Sequence, residues 1–227
     1  MNIIVTGAGK GIGFELCKKF LQLPDMNVIG ISRNTGQLDQ LAKINSSLLP
    51  FSFDLENDDY SSIINQLSFF PGGKVNILIN NAGLLIKKAF IELNTEDNLK
   101  MFNINYLAPY RLIQVLLPYF SENSHIVNIS SMSGFQGSMK FKGLAGYCAS
   151  KAALASLTEC LATELSDNNI KVNCLCPGGV DTTMFQNAFP ESSASVTPEE
   201  IACYISEFSL NAHKFMNGKI IPVSFYI

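Results

Sequence analysis

Short apolar runs, most of them rich in β-branched residues, recur along the chain, and stretches with helical spacing separate them. The runs are Ile3–Val5, Val28–Ile31, Leu48–Phe53, Val75–Ile79, Ile126–Ile129, Val172–Leu175 and Lys219–Val223. Helical patterns lie near 11–23, 36–45, 58–69, 96–120, 146–166 and 198–209. The apolar character of the runs is nearly continuous, as parallel strands covered on both faces require. Strands and helices that alternate in this way predict an α/β protein: a doubly wound parallel sheet with right-handed crossovers. No internal repeat, low-complexity segment or linker interrupts the pattern, so residues 1–227 are expected to form a single domain. The segment from Asn187 to Thr197, rich in Ser, Ala and Pro, reads as a surface loop or lid.

Composition narrows the functions open to such a fold. Hydrophobic residues make up 47% of the chain and charged residues 15%, enough apolar mass for a sizeable core. A formal charge of -3 carries no basic excess and argues against a nucleic-acid surface. No segment approaches the ~18 consecutive apolar residues of a membrane span. The opening Met1–Val5 lacks a basic stretch ahead of an apolar one, so no signal peptide is expected. The six cysteines (Cys17, Cys148, Cys160, Cys174, Cys176 and Cys203) form no C-x-x-C pair, and only His125 and His213 accompany them. The expectation is reduced, mostly buried thiols in a cytoplasmic protein with no metal site.

The first run leads straight into Thr6-Gly7-Ala8-Gly9-Lys10-Gly11-Ile12-Gly13, and a helical pattern follows. Glycines at such a place let the backbone turn tightly and approach a pyrophosphate, whose charge then rests on a helix N-terminus. The spacing is G-x-x-x-G-x-G, with Ile12 between the last two glycines. A tight strand-to-helix turn without a ligand uses the same residues, so the loop needs company before it means dinucleotide binding.

That company is present. The loop resembles the fingerprint of the short-chain dehydrogenase/reductase family, in its single-domain form with a Rossmann-type sheet, and the likeness runs along nearly the whole chain. Asn80-Asn81-Ala82-Gly83 resembles the family's N-N-A-G element beside the cofactor. Tyr147-x-x-x-Lys151 resembles its catalytic pair, and Pro177-Gly178-Gly179-Val180-Asp181-Thr182 resembles the turn that holds the nicotinamide carboxamide. The resemblance therefore implies cofactor contacts from Thr6, Gly7, Lys10, Gly11, Ile12, Gly13, Asn81, Ala82, Gly83, Tyr147, Lys151, Pro177, Gly178, Val180 and Thr182. Asp54 resembles the family residue that touches the adenine; capping a turn is its other reading.

Charge separates the two nicotinamide cofactors. NAD enzymes place a carboxylate after the second strand to accept the ribose hydroxyls. Here that strand ends Ile31-Ser32-Arg33, with a guanidinium suited to a 2′-phosphate, and Lys10 adds a second positive charge nearby. NADP is expected, with NAD as the alternative.

Tyr147 and Lys151 stand four apart on one helix face. A phenol ionises near pH ~10 when free, and an ammonium beside it favours the phenolate, which suits the pair to general acid–base work. By resemblance Ser131, the second serine of Ile129-Ser130-Ser131, hydrogen-bonds the substrate oxygen, and Lys151 also holds the nicotinamide ribose. Ser131 and Tyr147 lie farther apart than in the family, with the extra length placed in Gly137–Gly143. Asn105 resembles a fourth catalytic residue. Pro109, four positions on, supplies no N–H, so the Asn105 carbonyl is expected to be free to hold a water; a packing kink is the plainer alternative.

The remaining features bear on substrate and assembly. Met132, Phe135, Met184, Phe185 and Phe189 are candidates for an apolar pocket or for ordinary packing. Lys140 and Lys142 flank Phe141 and would either steer an anionic substrate or simply solvate a loop. The helices near 96–120 and 146–166 are apolar beyond one face, which points to a homodimer or homotetramer through them. Family members that form tetramers often use a longer C-terminal segment than Val223–Ile227, so the resemblance implies a dimer at least as readily as a tetramer. The expected function is hydride transfer between NADP(H) and a small carbonyl or alcohol, as in ketone or 3-oxoacyl reduction. Alcohol oxidation and a non-catalytic dinucleotide sensor are the alternatives, the sensor being expected to lose Tyr147 or Lys151.

Overall fold

A computed structural model describes residues 1–224. Seven parallel strands form one sheet: β1 (Asn2–Thr6), β2 (Asn27–Ser32), β3 (Leu48–Ser52), β4 (Val75–Asn80), β5 (Phe120–Ile129), β6 (Lys171–Pro177) and β7 (Ile220–Val223). Their order across the sheet is β3-β2-β1-β4-β5-β6-β7. The winding reverses between β1 and β4, and in such sheets ligands bind outside the carboxyl ends of the strands at that reversal.

Each strand sends side chains to both faces, and each face is covered. On one face Ile4 and Leu78 join residues of α3 (Ser61–Gln66), α5 (Ala108–Leu116) and α6 (Ala145–Glu164) in one core. On the other, Ile3, Val5, Ile77 and Ile79 meet α1 (Gly11–Leu21), α2 (Gly36–Ala42) and α8 (Pro198–Asn211). Fully burying one such side chain contributes about 1.5–3 kcal/mol, so the two-sided cover is what holds β1 and β4 at the centre.

The helix expected near 96–120 is not continuous. Asn94 caps α4 (Thr95–Phe102) by accepting from the Asp97 N–H at 2.8 Å, and a π-turn over Asn103–Leu107 then leads into α5. After a short 3-10 turn at Leu117–Tyr119, β5 starts at Phe120, six residues ahead of the run at Ile126. The early part of β5 is held by pairing of Phe120 with Val75 and by the Ser121 hydroxyl, which accepts from Asn76 at 2.8 Å. The stretch read as a loop from Asn187 opens inside a helix, α7 (Thr183–Ala188), and Val196 bridges to Val180 near its end.

The thiols also depart from expectation. All six are free, with Cys17, Cys174 and Cys176 buried, but Cys160 and Cys203 are exposed because they lie on outward faces of α6 and α8. Among the described residues no helix is long and apolar enough to cross a membrane. On α6 the outward positions Ala149, Ala152, Ser156 and Cys160 are small and exposed, and Phe225–Ile227 lie outside the described residues.

Candidate active site

A crevice of about 810 Å³ opens at the carboxyl ends of the strands. One half is built from the loop between β1 and α1. Gly7, at φ +67°, sits so close to the turn after β4 that an added Cβ would come within 2.8 Å of the Ala82 Cα. A Cβ on Gly13 would lie 2.3 Å from the Gly7 carbonyl oxygen, and one on Gly9 2.4 Å from the Asn34 carbonyl oxygen and the Ser32 hydroxyl. These glycines are therefore required by close approach of backbone. Among the described residues no side chain caps the N-terminus of α1, which leaves its first N–H groups to other partners.

Thr6 and Asn81 brace this half from behind. The Thr6 hydroxyl accepts from the N–H groups of Asn81 and Ala82, each at 3.0 Å, and the Asn81 amide donates to the Thr6 carbonyl at 2.9 Å. Gly7, Lys10, Ile12, Arg33, Asp54, Asn81, Ala82 and Gly83 line the crevice, whereas Thr6, Gly11 and Gly13 support it from outside the lining. Asp54 both faces the crevice and caps a turn, accepting from the Asn57 amide at 2.9 Å and the Glu56 N–H at 3.1 Å. Those hydrogen bonds, Asn57 foremost, hold its carboxyl below the usual range, and Arg33 adds to the effect.

The catalytic candidates meet in the middle. Ser131, Tyr147 and Lys151 all line the crevice, and the Ser131 hydroxyl accepts from the Ser133 N–H at 3.1 Å. The longer connection between them bulges outward: Ser138 turns its hydroxyl back onto the Phe135 carbonyl at 2.9 Å, while 139–142 stand exposed. Ser131 and Tyr147 thus face one crevice despite the extra length between them. Contrary to the expected help from Lys151, burial pushes the Tyr147 phenol up to about 12, and Ser131 is the neighbour that opposes the rise. Burial brings Lys151 down to about 8, and its ammonium donates to the Ile129 carbonyl at 2.8 Å.

Asn105 stands one layer back. Its carbonyl oxygen Oδ1 accepts from the Leu84 N–H at 2.8 Å, and its amide donates to the Leu84 carbonyl at 2.9 Å and the Ser150 hydroxyl at 2.9 Å. It lies inside the π-turn, where the Ala108 N–H bonds to the Asn103 carbonyl. The kink is this wide turn, and Pro109 falls in the first turn of α5, where a missing N–H costs little. Gly83 lies between the two polar groups: a Cβ there would come within 3.3 Å of Lys151 Nζ and 3.4 Å of Asn105 Oδ1.

At the other end, Pro177 closes β6, Gly178, Val180 and Thr182 continue along the crevice, and the Thr182 hydroxyl caps α7 by accepting from the Phe185 N–H at 3.2 Å. Of the apolar candidates, Met132, Met184, Phe185 and Phe189 line the crevice, whereas Phe135 packs with Ala155, Cys174 and Cys176 in a small separate core. Sequence reasoning missed Ser150, which positions Asn105, and Lys87, which reaches the Ala188 carbonyl beside Phe189. Ser150 adjoins Lys151 in the catalytic pair, so that neighbourhood was its one available signal.

Comparison with known proteins shows the family and the fold. The family profile of short chain dehydrogenases matches residues 1–193. A 3-oxoacyl-[acyl-carrier-protein] reductase of Thermotoga maritima is 27% identical over 97% of this chain and 94% of its own. The structure of a 4-hydroxyisoleucine dehydrogenase complexed with NADH superposes with a TM-score of 0.87 at 26% identity, covering 98% of this chain and 96% of that one. ElxO with NADP bound gives 0.83 at 26% identity over 98% and 96%.

Proposed function

Because this chain belongs to the short chain dehydrogenases, oxidoreductases of one domain, we propose that it uses NADPH to reduce a ketone or 3-oxoacyl group. The observation that carries the reading is the meeting of Ser131, Tyr147 and Lys151 at the carboxyl ends of the central strands. Ser131 and Tyr147 together offer two hydroxyls to a carbonyl oxygen. Tyr147 gives that oxygen a proton, and Lys151, beside it on α6, stabilises the phenolate left behind. Run backward, the same groups take a proton from an alcohol, so both directions share one machinery. Asn105 and Ser150 position the layer behind them.

The residues present fit a dinucleotide. The cradle that Cβ atoms at Gly7, Gly9 and Gly13 would fill, together with the uncapped α1 N-terminus, suits a pyrophosphate. Arg33 and Lys10 are exposed at the crevice where β2 ends, and no carboxylate stands in the Ile31-Ser32-Arg33 run, which favours NADP over NAD. When bound, the cofactor supplies or accepts the hydride.

A cytoplasmic homodimer or homotetramer completes the proposal, formed through α4–α5 and α6, whose small outward residues would let a second helix approach closely. A monomer by light scattering at micromolar concentration would remove either assembly. The enzymatic reading is tested by NADPH consumption over a panel of ketones, quinones and acyl thioesters. Turnover of at least one, with NADPH preferred to NADH, is expected; NADPH binding without turnover of any would leave a sensor.

A further inference from the structure

The crevice is charged in one half and uncharged in the other. Lys10, Arg33, Asp54 and Glu56 stand in the half near β2 and β3, and Lys151 in the middle. Past Lys151 the described lining is apolar or hydroxyl-bearing, with Leu84, Leu85, Ile104, Met132, Leu144 and Met184 as its walls.

Three aromatic rings roof this half. Phe189 lies 5.3 Å from Phe185 on α7 and 6.3 Å, edge-on, from Phe141 of the long loop. Lys87 fastens the roof down. Its ammonium sits 4.2 Å from the Phe189 ring centroid and donates to the Ala188 carbonyl at 2.8 Å. The next residue, Lys88, donates its N–H to the Gly143 carbonyl at 3.1 Å, which draws the long loop against the same segment. Lys140 is likewise engaged, donating to the Phe135 carbonyl at 2.6 Å and the Ser138 hydroxyl at 2.7 Å. A lysine that from sequence could steer anions is thus turned into its own loop. An anionic group under the roof would lose water and find only Lys151 among the described lining cations, since the nearby Lys87 and Lys140 ammonium groups are tied to backbone carbonyls, and that carries a cost.

We infer, building on the reductase reading, that the roof selects an uncharged carbonyl compound bearing a bulky apolar group, and that Lys87 is a positioning residue that holds the roof in place. A neutral ketone, or the acyl end of a thioester whose charged carrier remains outside, satisfies this; a free oxo acid does not.

Ethyl benzoylformate and benzoylformate share one skeleton and differ in charge. Calorimetry on the enzyme loaded with the tetrahydronicotinamide analogue of NADPH, whose ring is neutral and donates no hydride, reads their binding without any turnover. The ester should bind about a hundredfold or more tightly than the acid. Equal binding, tighter binding of the acid, or binding of neither overturns the inference. NADPH consumption is measured separately: an ester that binds selectively yet is never reduced would sink the reductase reading and leave the pocket selectivity standing. For Lys87, the Lys87→Met variant should raise the ester's KM roughly fivefold, more than it changes kcat, and Lys87→Arg should restore it by keeping a cation on the ring. An unaltered KM in Lys87→Met, or no recovery in Lys87→Arg, removes Lys87 from the account.

Discussion

Buried polar side chains lie near both ends of strands β5 and β6, on the strands themselves at one end and on α6 at the other, and the two ends treat them differently. At the amino end His125 Nδ1 lies 2.9 Å from the Ser209 carbonyl and Nε2 3.0 Å from the Asn173 amide. Asn173 also donates to the Met216 carbonyl and accepts from the Lys219 N–H, each at 3.0 Å. Both ring nitrogens of His125 are occupied within the chain. At the carboxyl end the buried hydroxyl of Tyr147 and ammonium of Lys151 face a crevice, so part of their bonding capacity is directed outward. The first arrangement serves stability. The second holds a buried charge at a cost to stability, which is how a fold keeps reactive groups ready.

The sharpest way to break this contrast is Lys151→Met. It should lower turnover by about 10²–10⁴-fold through loss of phenolate stabilisation, while making the folded chain more stable. Lys151 has a folded pKa of about 8 against about 10.5 when exposed. Its penalty is therefore absent above about pH 10.5, grows as pH falls, and is complete below about pH 8, on the order of 3 kcal/mol. Thermal melting should show the variant more stable than wild type at pH 7 and the gap closing towards pH 10.5. A variant less stable at pH 7 would mean that Lys151 supports the fold as His125 does.

The amino end should respond to acid. Burial holds His125 down to about 4 from its usual 6.5. Between those values the unfolded chain takes up a proton that the folded chain refuses. Stability is thus undiminished above about pH 6.5 and falls as pH drops towards about 4, by on the order of 3 kcal/mol. His125→Gln, which keeps neutral polar contacts, should flatten that acid limb and leave cofactor affinity alone. An unchanged acid limb would show that other groups dominate it.

A smaller effect is expected at the mouth of the crevice. Arg33→Ala should weaken NADPH binding roughly tenfold, the lower range for a charge-assisted contact because Arg33 is exposed, with NADH little affected. Equal weakening of both would remove the 2′-phosphate contact.

How much of this was readable from sequence follows the same division. The central strands are legible because parallel strands buried on both faces leave unbroken apolar runs, and the glycine loop because close backbone approach admits no side chain. The π-turn at Asn103–Leu107 was not legible, since the residues on both sides keep helical spacing and Pro109 drew the explanation to itself. Helix α7 is six residues long, too short for periodicity to register. The cofactor half of the site announced itself through glycines and charge. The substrate half did not, because Phe and Met line pockets and cores alike, and Lys87 finds its partner 101 residues away with no local sign.

The central claim is that the Tyr147 hydroxyl is the proton donor of a site otherwise complete. Tyr147→Phe keeps the ring and removes that atom alone. Single-turnover reduction of a neutral ketone by NADPH, measured beside NADPH affinity, tests it directly. The expected rate is about 10²–10⁴-fold below wild type, with NADPH affinity changed less than about threefold. A Tyr147→Phe rate near that of wild type would contradict it.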